Sequence, residues 1–341
     1  MTRVALIGFG NAGRVLHAPL IAATPGLTLT VIGSRQRDLA GSAYPGVEVV
    51  ADPLVAARHR DVDLVVVATP NDTHAPLAEA ALQAGKHVVV DKPFTVTLAE
   101  ARALVVVAAA AKRLLSVVQN RRWDSDFLGI ARELATGRLG EVVELRSEMS
   151  RYRPQVRDRW RERAGPGAGL WYDLGPHLID QALVLFGPPD TVHADLEVQR
   201  GGTAVDWFQA ILGYGRKRVI LASSMIAADP AVRFLVRGTN GSLTKRAGDP
   251  QEAQLAAGQK PGSPGWGHDS DPLIFFAGDG SGPVEITAPP GNYLGYYAAI
   301  RDAIREEGPS PVTPAQAIAL MAILEAGIRS SEQGRVVRPD Y

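Results

Sequence analysis

Val4-Ala5-Leu6-Ile7-Gly8-Phe9-Gly10-Asn11-Ala12-Gly13 is the stretch on which the reading of this chain turns. Its first four residues are apolar without a break, the pattern of a strand buried on both faces of a parallel sheet. Gly8-x-Gly10-x-x-Gly13 follows at once, and Leu16, Leu20 and Ile21 then recur at helical spacing until Pro25-Gly26 stops the run. A lone G-x-G-x-x-G carries little weight in a chain with 35 glycines. The strand before it and the helix after it make it a dinucleotide-binding fingerprint. In that setting Gly8 permits the tight turn, Gly10 lets a pyrophosphate approach the backbone and Gly13 lets the helix pack closely. Gly8, Phe9, Gly10, Asn11, Ala12 and Gly13 are therefore candidate cofactor-binding residues. A glycine turn of purely structural use is the competing explanation.

The same rhythm continues outward from this unit. Strands are expected at Leu27 to Ile32, Val47 to Val50, Leu64 to Ala68, His87 to Val90 and Leu115 to Gln119, with helices near Pro53 to Arg58, Pro76 to Ala84 and Leu98 to Lys112. Strands alternating with helices imply an α/β, doubly wound parallel sheet of Rossmann type, here assigned to residues 1–121. The residue that reads the adenosine ribose belongs at the end of the second strand. Gly33-Ser34-Arg35-Gln36-Arg37 offers no carboxylate there. Ser34, Arg35 and Arg37 suit a 2′-phosphate instead, which favours NADP over NAD; the plainer alternative is that the two arginines are solvated loop charges. Ligands of such a sheet sit at the carboxyl ends of its strands. That places Thr69, Pro70, Asn71 and His74 after the fourth strand, Asp91 and Lys92 after the fifth, and Asn120 and Arg121 after the sixth among the candidate cofactor-binding residues.

Composition excludes several other functions. Lys plus Arg number 36 and Asp plus Glu 36, so no overall positive charge offers itself to nucleic acid or to an anionic membrane. Hydrophobic residues make up 46%, ample for a core, and at roughly 100 to 200 residues per domain the 341 residues suggest two domains. Cysteine is absent, which removes disulfides, thiolate metal sites and a cysteine nucleophile, and fits a cytoplasmic protein. The longest apolar run, Ala103 to Ala111, is nine residues against the roughly 20 of a membrane span, and Met1-Thr2-Arg3 does not open a signal peptide. No zinc-hydrolase, P-loop or nucleophile-elbow signature occurs, and no metal is called for.

Residues 122–341 form the second domain. Strands are expected at Glu141 to Met149, Thr191 to Val198, Trp207 to Leu212, Val219 to Ser223, Arg233 to Arg237 and Ser242 to Lys245, a Gly- and Pro-rich excursion over Ala247 to Pro290, and helices at Ala298 to Ile304 and Pro314 to Gln333. Within Gly169-Leu170-Trp171-Tyr172-Asp173-Leu174-Gly175-Pro176-His177-Leu178-Ile179-Asp180, Pro176 suits a first helical turn. Asp173 and His177 would then stand at the entrance of the helix.

Gly8-x-Gly10-x-x-Gly13, Asp91-Lys92-Pro93 in place of the usual Glu-Lys-Pro, and Asp173-x-Gly-x-His177 together resemble the signature set of the Gfo/Idh/MocA oxidoreductases. His17-Ala18-Pro19-Leu20, Gln119 to Trp123, Asp249 to Ala253, Pro264 to Gly267 and Tyr293-x-x-Tyr296-Tyr297 extend the resemblance along the chain, towards a branch that includes NADP-dependent scyllo-inositol dehydrogenase. The resemblance implies a second domain built on a large, mostly antiparallel sheet whose open face often makes a dimer interface. It also implies hydride transfer between the cofactor and a cyclic polyol or sugar, so the partners are a small molecule and further copies of the chain.

Alcohol oxidation needs a base within reach of the hydroxyl, and histidine, titrating near neutrality, is the natural candidate. His177 would take the proton, Lys92 would stabilise charge on the same oxygen, and Asp173 would bind an adjacent hydroxyl; these three are the candidate catalytic residues. With Arg121 they form the candidate substrate set, and Trp160, with Arg157 and Arg161, would cover the cofactor. Each has a duller explanation: a structural histidine, a surface lysine, a helix cap for Asp173, and for Asp91 a bond to its own turn. Asp180 reads as a partner on the helix flank. A non-catalytic dinucleotide sensor on the same fold is the alternative function.

Overall fold

The computed structural model describes residues 1–229 and 232–341. By contacts the chain divides into two compact units. The first comprises residues 1–120, 251–266 and 292–318, and the second residues 121–250, 267–291 and 319–341. The junction falls one residue from the division drawn in the sequence. The units are nevertheless discontinuous, because two later segments return to the first.

In the first unit, β1 (Thr2–Ile7), β2 (Leu27–Gly33), β3 (Glu48–Val50), β4 (Leu64–Val67), β5 (His87–Val90) and β6 (Leu115–Val117) form a parallel sheet in the order β3-β2-β1-β4-β5-β6. The helices α1 (Ala18–Ala23), α2 (Arg37–Ala43), α3 (Pro53–Ala57), α4 (His74–Gln83) and α5 (Leu98–Ala111) alternate with the strands. Every residue of β4 is fully buried, as are Val4 to Ile7 of β1. Cover on both faces is why these strands are apolar without alternation. Strand order reverses between β1 and β4, and sheets of this type bind their ligands beyond the carboxyl ends of the strands at such a switch point. Gly8 to Gly13 and Thr69 to His74 are those loops.

The second unit holds α6 (Ser125–Ala135), β7 (Val142–Glu148), α7 (Gly169–Phe186), β8 (Thr191–Glu197), β9 (Trp207–Tyr214), β10 (Lys217–Ser224), β11 (Phe234–Gly238), β12 (Gly241–Lys245), β13 (Leu273–Ala277) and β14 (Pro283–Ile286). Its sheet runs β14-β13-β12-β11-β7-β10-β9-β8, antiparallel throughout except where β7 meets β10. The excursion over Ala247 to Pro290 supplies β13 and β14. Two further helices, α8 (Gln251–Ala256) and α9 (Leu294–Ile304), belong to the first unit, and α10 (Pro314–Gln333) closes the set.

Helix α7 packs on the second sheet through Trp171, whose ring meets Phe208 of β9 edge-on at 4.9 Å while its indole N–H donates to the Leu324 carbonyl at 3.0 Å. Gly327 makes room for it, since a Cβ there would lie 2.4 Å from the indole. This packing corrects one expectation. The helix begins at Gly169, so Pro176 lies inside it and Asp173 and His177 stand on successive turns of its body rather than at its entrance. Burial of Leu170, Trp171 and Leu174 outweighs the local preference of proline for a first turn.

Candidate functional site

The loop from Gly8 to Gly13, the candidate cofactor cradle, is built by close backbone approach. Gly8 sits at φ +100°, donates its N–H to the Gly33 carbonyl at 2.9 Å, and would bring a Cβ within 2.3 Å of the Ala68 carbonyl oxygen. At Gly13 a Cβ would lie 1.9 Å from the Gly8 carbonyl oxygen. Gly10 is different, for nothing in the protein lies within 4 Å of the place its Cβ would take. The exposed Gly10 is therefore open on the side where a pyrophosphate would pass, and Asn11 and Ala12 lead from it into the helix. Phe9 is buried, its ring edge-on to Tyr44 at 6.2 Å. Further along the same unit, the buried Asn120 Nδ2 and Gln119 Oε1 have no hydrogen-bond partner among the described residues. Open space at Gly10 and unspent buried amide groups at the carboxyl end of β6 fit a dinucleotide.

Around the other strand ends the side chains are more committed. Both ring nitrogens of the buried His74 face backbone carbonyls, Nδ1 that of Pro93 at 2.9 Å and Nε2 that of Thr69 at 3.0 Å. His74 thus braces the Thr69-Pro70-Asn71 loop against the Lys92-Pro93 turn, whose peptide bond is cis. Burial pushes its imidazole below its ordinary pKa, opposed by the Asp91 charge and by those carbonyls. Asn71 is buried as well. Ser34 is half-buried, its Oγ accepting the Gln36 N–H at 3.0 Å, while Arg35 and Arg37 are exposed. Lys92 is partly buried at the end of β5.

Asp91 is 6% exposed. Its Oδ1 accepts the Lys92 N–H at 2.8 Å, and Oδ2 lies 3.5 Å from His17 Nε2. Burial alone would raise the Asp91 carboxyl, yet the His17 imidazole and the charges of Lys92 and His74 bring it down to about 2. A depressed carboxyl contributes stability above its unfolded pKa of 3.8 and loses it as pH falls from there towards about 2. The shift corresponds to roughly 2 kcal/mol. Urea unfolding of the wild type against Asp91→Asn should therefore show a stability difference that shrinks across that acid window. A difference constant with pH would show that the carboxyl is not depressed.

In the second unit, Asp173 and His177 lie four residues apart on α7, so they share one face of the helix. His177 is 4% exposed between the buried Leu174 and Leu178, while the Asp173 side chain is 29% exposed. Arg161 Nε lies 3.9 Å from Asp173 Oδ1, and the Arg161 guanidinium stacks over the Trp160 ring at 4.5 Å. The segment carrying them is anchored by the buried Glu162, which accepts the Arg157 N–H at 3.0 Å and Arg159 Nε at 2.7 Å and pairs with Arg200 Nη2 at 3.2 Å. Trp160 is thus fixed to α7's own unit through Arg161.

Asp180 holds Arg122 in a two-pronged pair at 2.7 and 2.8 Å, the flank partnership expected of it. Arg121 pairs with Asp124 at 3.1 Å, and its carbonyl accepts Gln181 Nε2 at 3.0 Å. Gln181 is held in turn by the buried Arg233 at 2.7 Å. Two of these supports, Gln181 and Arg233, carry no sequence signal, because buried polar side chains beside a site segment leave no periodic pattern. Among the described residues, no group of three His, Asp or Glu side chains could hold a metal ion, and no helix is long and apolar enough to cross a membrane.

Comparison with known proteins identifies the family of both domains. Residues 2–119 match the profile described as an oxidoreductase family, NAD-binding Rossmann fold, and residues 131–338 that of the same family's C-terminal alpha/beta domain. An uncharacterized oxidoreductase of Escherichia coli strain K12, YdgJ, is 50% identical over 333 residues, covering 97% of this chain and 96% of that protein. The scyllo-inositol 2-dehydrogenase (NADP(+)) IolW of Bacillus subtilis strain 168 is 36% identical over 344 residues, covering 99% and 96%. Among solved structures, an oxidoreductase from Bacillus cereus superposes with a TM-score of 0.90 at 30% identity, covering 100% of this chain and 99% of that one. Both domains of the family are matched over most of the chain, which therefore belongs to the Gfo/Idh/MocA oxidoreductases.

Proposed function

We propose that the protein is an NADP-dependent dehydrogenase acting on a secondary alcohol or ketone of a cyclic polyol or sugar of the scyllo-inositol type, with His177 as general acid and base. The observation that carries this reading is the Asp173–His177 face of α7, a carboxylate and an imidazole one turn apart on a rigid helix. Such a pair can hold a vicinal diol, Asp173 accepting from one hydroxyl while His177 exchanges the proton of its neighbour. The bound cofactor supplies hydride acceptance and donation at its nicotinamide C4. Lys92 donates to the reacting oxygen and stabilises negative charge growing on it. In oxidation His177 takes the hydroxyl proton, and in reduction it returns it. Arg121 contributes to substrate binding, and Trp160 excludes water from the cofactor.

Selectivity for NADP is assigned to Ser34, Arg35 and Arg37. The absence of a carboxylate at the end of β2 supports it, as does the NADP dependence named for the IolW relative. Arg35→Glu is expected to shift the ratio of kcat/KM for NADP to that for NAD by about 10- to 100-fold towards NAD, the worth of one hydrogen bond to a charged group. An unchanged ratio would remove Arg35 from cofactor recognition. Self-association through the second sheet is part of the same reading.

A reaction test is direct. Purified protein is mixed with NADP and a panel of cyclic polyols and aldoses, and absorbance of the reduced nicotinamide is followed. Turnover on the inositols supports the assignment, and turnover confined to open-chain alcohols would refute the substrate class.

A further inference from the structure

Three motif residues that the proposed chemistry does not use meet at one buried point of the first unit. They are His17 of His17-Ala18-Pro19-Leu20, Asp91 of Asp91-Lys92-Pro93, and Tyr297 of Tyr293-x-x-Tyr296-Tyr297. His17 is 0%, Tyr297 1% and Asp91 6% exposed. His17 Nδ1 lies 2.7 Å from the Tyr297 hydroxyl, and Nε2, which makes no hydrogen bond among the described residues, lies 3.5 Å from Asp91 Oδ2, within ion-pair distance. The Asp91 carboxylate can only accept, so Nε2 faces it as an N–H. The remaining oxygen of Asp91 holds the Lys92 N–H at 2.8 Å. A phenol, an imidazole and a carboxylate therefore form a line that ends on the backbone of Lys92.

The surroundings keep that line intact. Burial, with Tyr296 and Asp91 nearby, holds the Tyr297 hydroxyl well above the usual range, so it stays a phenol. Tyr296 packs edge-on against Tyr297 at 5.3 Å. His17 closes a π-helical turn, Ala12–His17, in which the Ala18 N–H reaches back to the Gly13 carbonyl. Such turns are rare and concentrate at functional positions. Side-chain length matters as well. A glutamate at position 91 would carry its carboxylate about 1.5 Å further, into the space His17 fills. Aspartate at 91 and histidine at 17 are matched in size.

We propose that His17 and Tyr297 are positioning residues that act on Lys92 through Asp91, and that Asp91 is the holding group of Lys92 rather than a ligand of the nicotinamide ribose. The inference rests on the reading of Lys92 as the group that donates to the reacting oxygen. Fixing the Lys92 backbone limits the arc its ammonium can sweep, and a donor held in place stabilises developing charge better than a mobile one.

The test uses the full-length protein and the variants Tyr297→Phe, His17→Gln, their double, Asp91→Asn, Asp91→Glu, and Asp91→Glu with His17→Ser. Five quantities are read: the thermal midpoint, the NADPH Kd by fluorescence, kcat and KM on the polyol, and the acylation rate of Lys92 in cofactor-free protein by peptide mass spectrometry. Tyr297→Phe and His17→Gln are each expected to lower kcat about tenfold, the double no further than His17→Gln alone, because residues acting as a unit are not additive. Lys92 acylation should change by about threefold or more while the NADPH Kd moves by less than about twofold. Asp91→Glu should lose activity that His17→Ser partly restores.

Unchanged kcat and unchanged Lys92 acylation in folded Tyr297→Phe and His17→Gln would overturn the proposal, as would effects that multiply in the double. A Kd weakened about tenfold or more by Asp91→Asn, with Lys92 acylation unmoved, would return Asp91 to the ribose. If the wild type turns over no polyol, the dehydrogenase reading fails separately, and the acylation rates still decide whether this line governs Lys92. If His17→Gln does not fold, the conservative Tyr297→Phe decides by the same readouts.

Discussion

Replacement of His177 by Asn is expected to lower kcat by about 10²- to 10⁴-fold, the usual contribution of a positioned acid and base. The NADPH Kd should stay within about twofold, because His177 lies in the second unit, outside the residues of the cradle. Asn keeps a polar head of similar reach between the buried Leu174 and Leu178, but it cannot exchange a proton at neutral pH. Steady-state kinetics with thermal midpoints alongside separate loss of chemistry from loss of fold. A folded variant with undiminished kcat would remove His177 from the proton transfer.

The glycines of the cradle should separate into two behaviours. Gly13→Ala is expected to destabilise the fold by about 3 kcal/mol, near the upper end of overpacking costs, because its Cβ would sit 1.9 Å from the Gly8 carbonyl oxygen and only a backbone shift relieves that. Gly10→Ala meets nothing within 4 Å, so its unfolding free energy should stay within about 0.5 kcal/mol of the wild type. Its NADPH affinity should nevertheless fall about 10- to 100-fold, because the methyl group occupies the approach of the pyrophosphate and breaks backbone bonds to a charged ligand. Urea denaturation and NADPH titration of the two variants measure this directly. Equal destabilisation of both, or unaltered affinity in Gly10→Ala, would place the dinucleotide elsewhere.

The legibility of the fold followed the strength of each local signal. Strands β1 and β4 could be read because cover on both faces demands unbroken apolar runs. Helix α2, Arg37-Asp38-Leu39-Ala40-Gly41-Ser42-Ala43, escapes a reading by periodicity because it buries only Ala40 and so lacks an apolar stripe. The start of α7 was set too late because Pro176 dominates a local reading, whereas Trp171 against Phe208 is a long-range contact that propensity does not register. The spacing of Asp173 and His177 was visible all the same. What changed was its meaning, from two groups at a helix entrance to one face in a helix body. The π turn at Ala12–His17 has no sequence signature, and the meeting of His17, Asp91 and Tyr297 joins residues more than 200 positions apart. Their motifs were legible singly, but their convergence was not.

Membership of an oxidoreductase family leaves one central claim to be tested, that this chain moves a hydride with His177 managing the proton. The most direct measurement is single-turnover formation of NADPH from NADP and scyllo-inositol, followed by absorbance in wild type and in His177→Asn at matched cofactor saturation. The proposal requires a burst of NADPH in the wild type and its near loss in the variant. Tight NADPH binding with no NADPH formed from any polyol, in wild type as in variant, would contradict it and identify the chain as a dinucleotide-binding sensor.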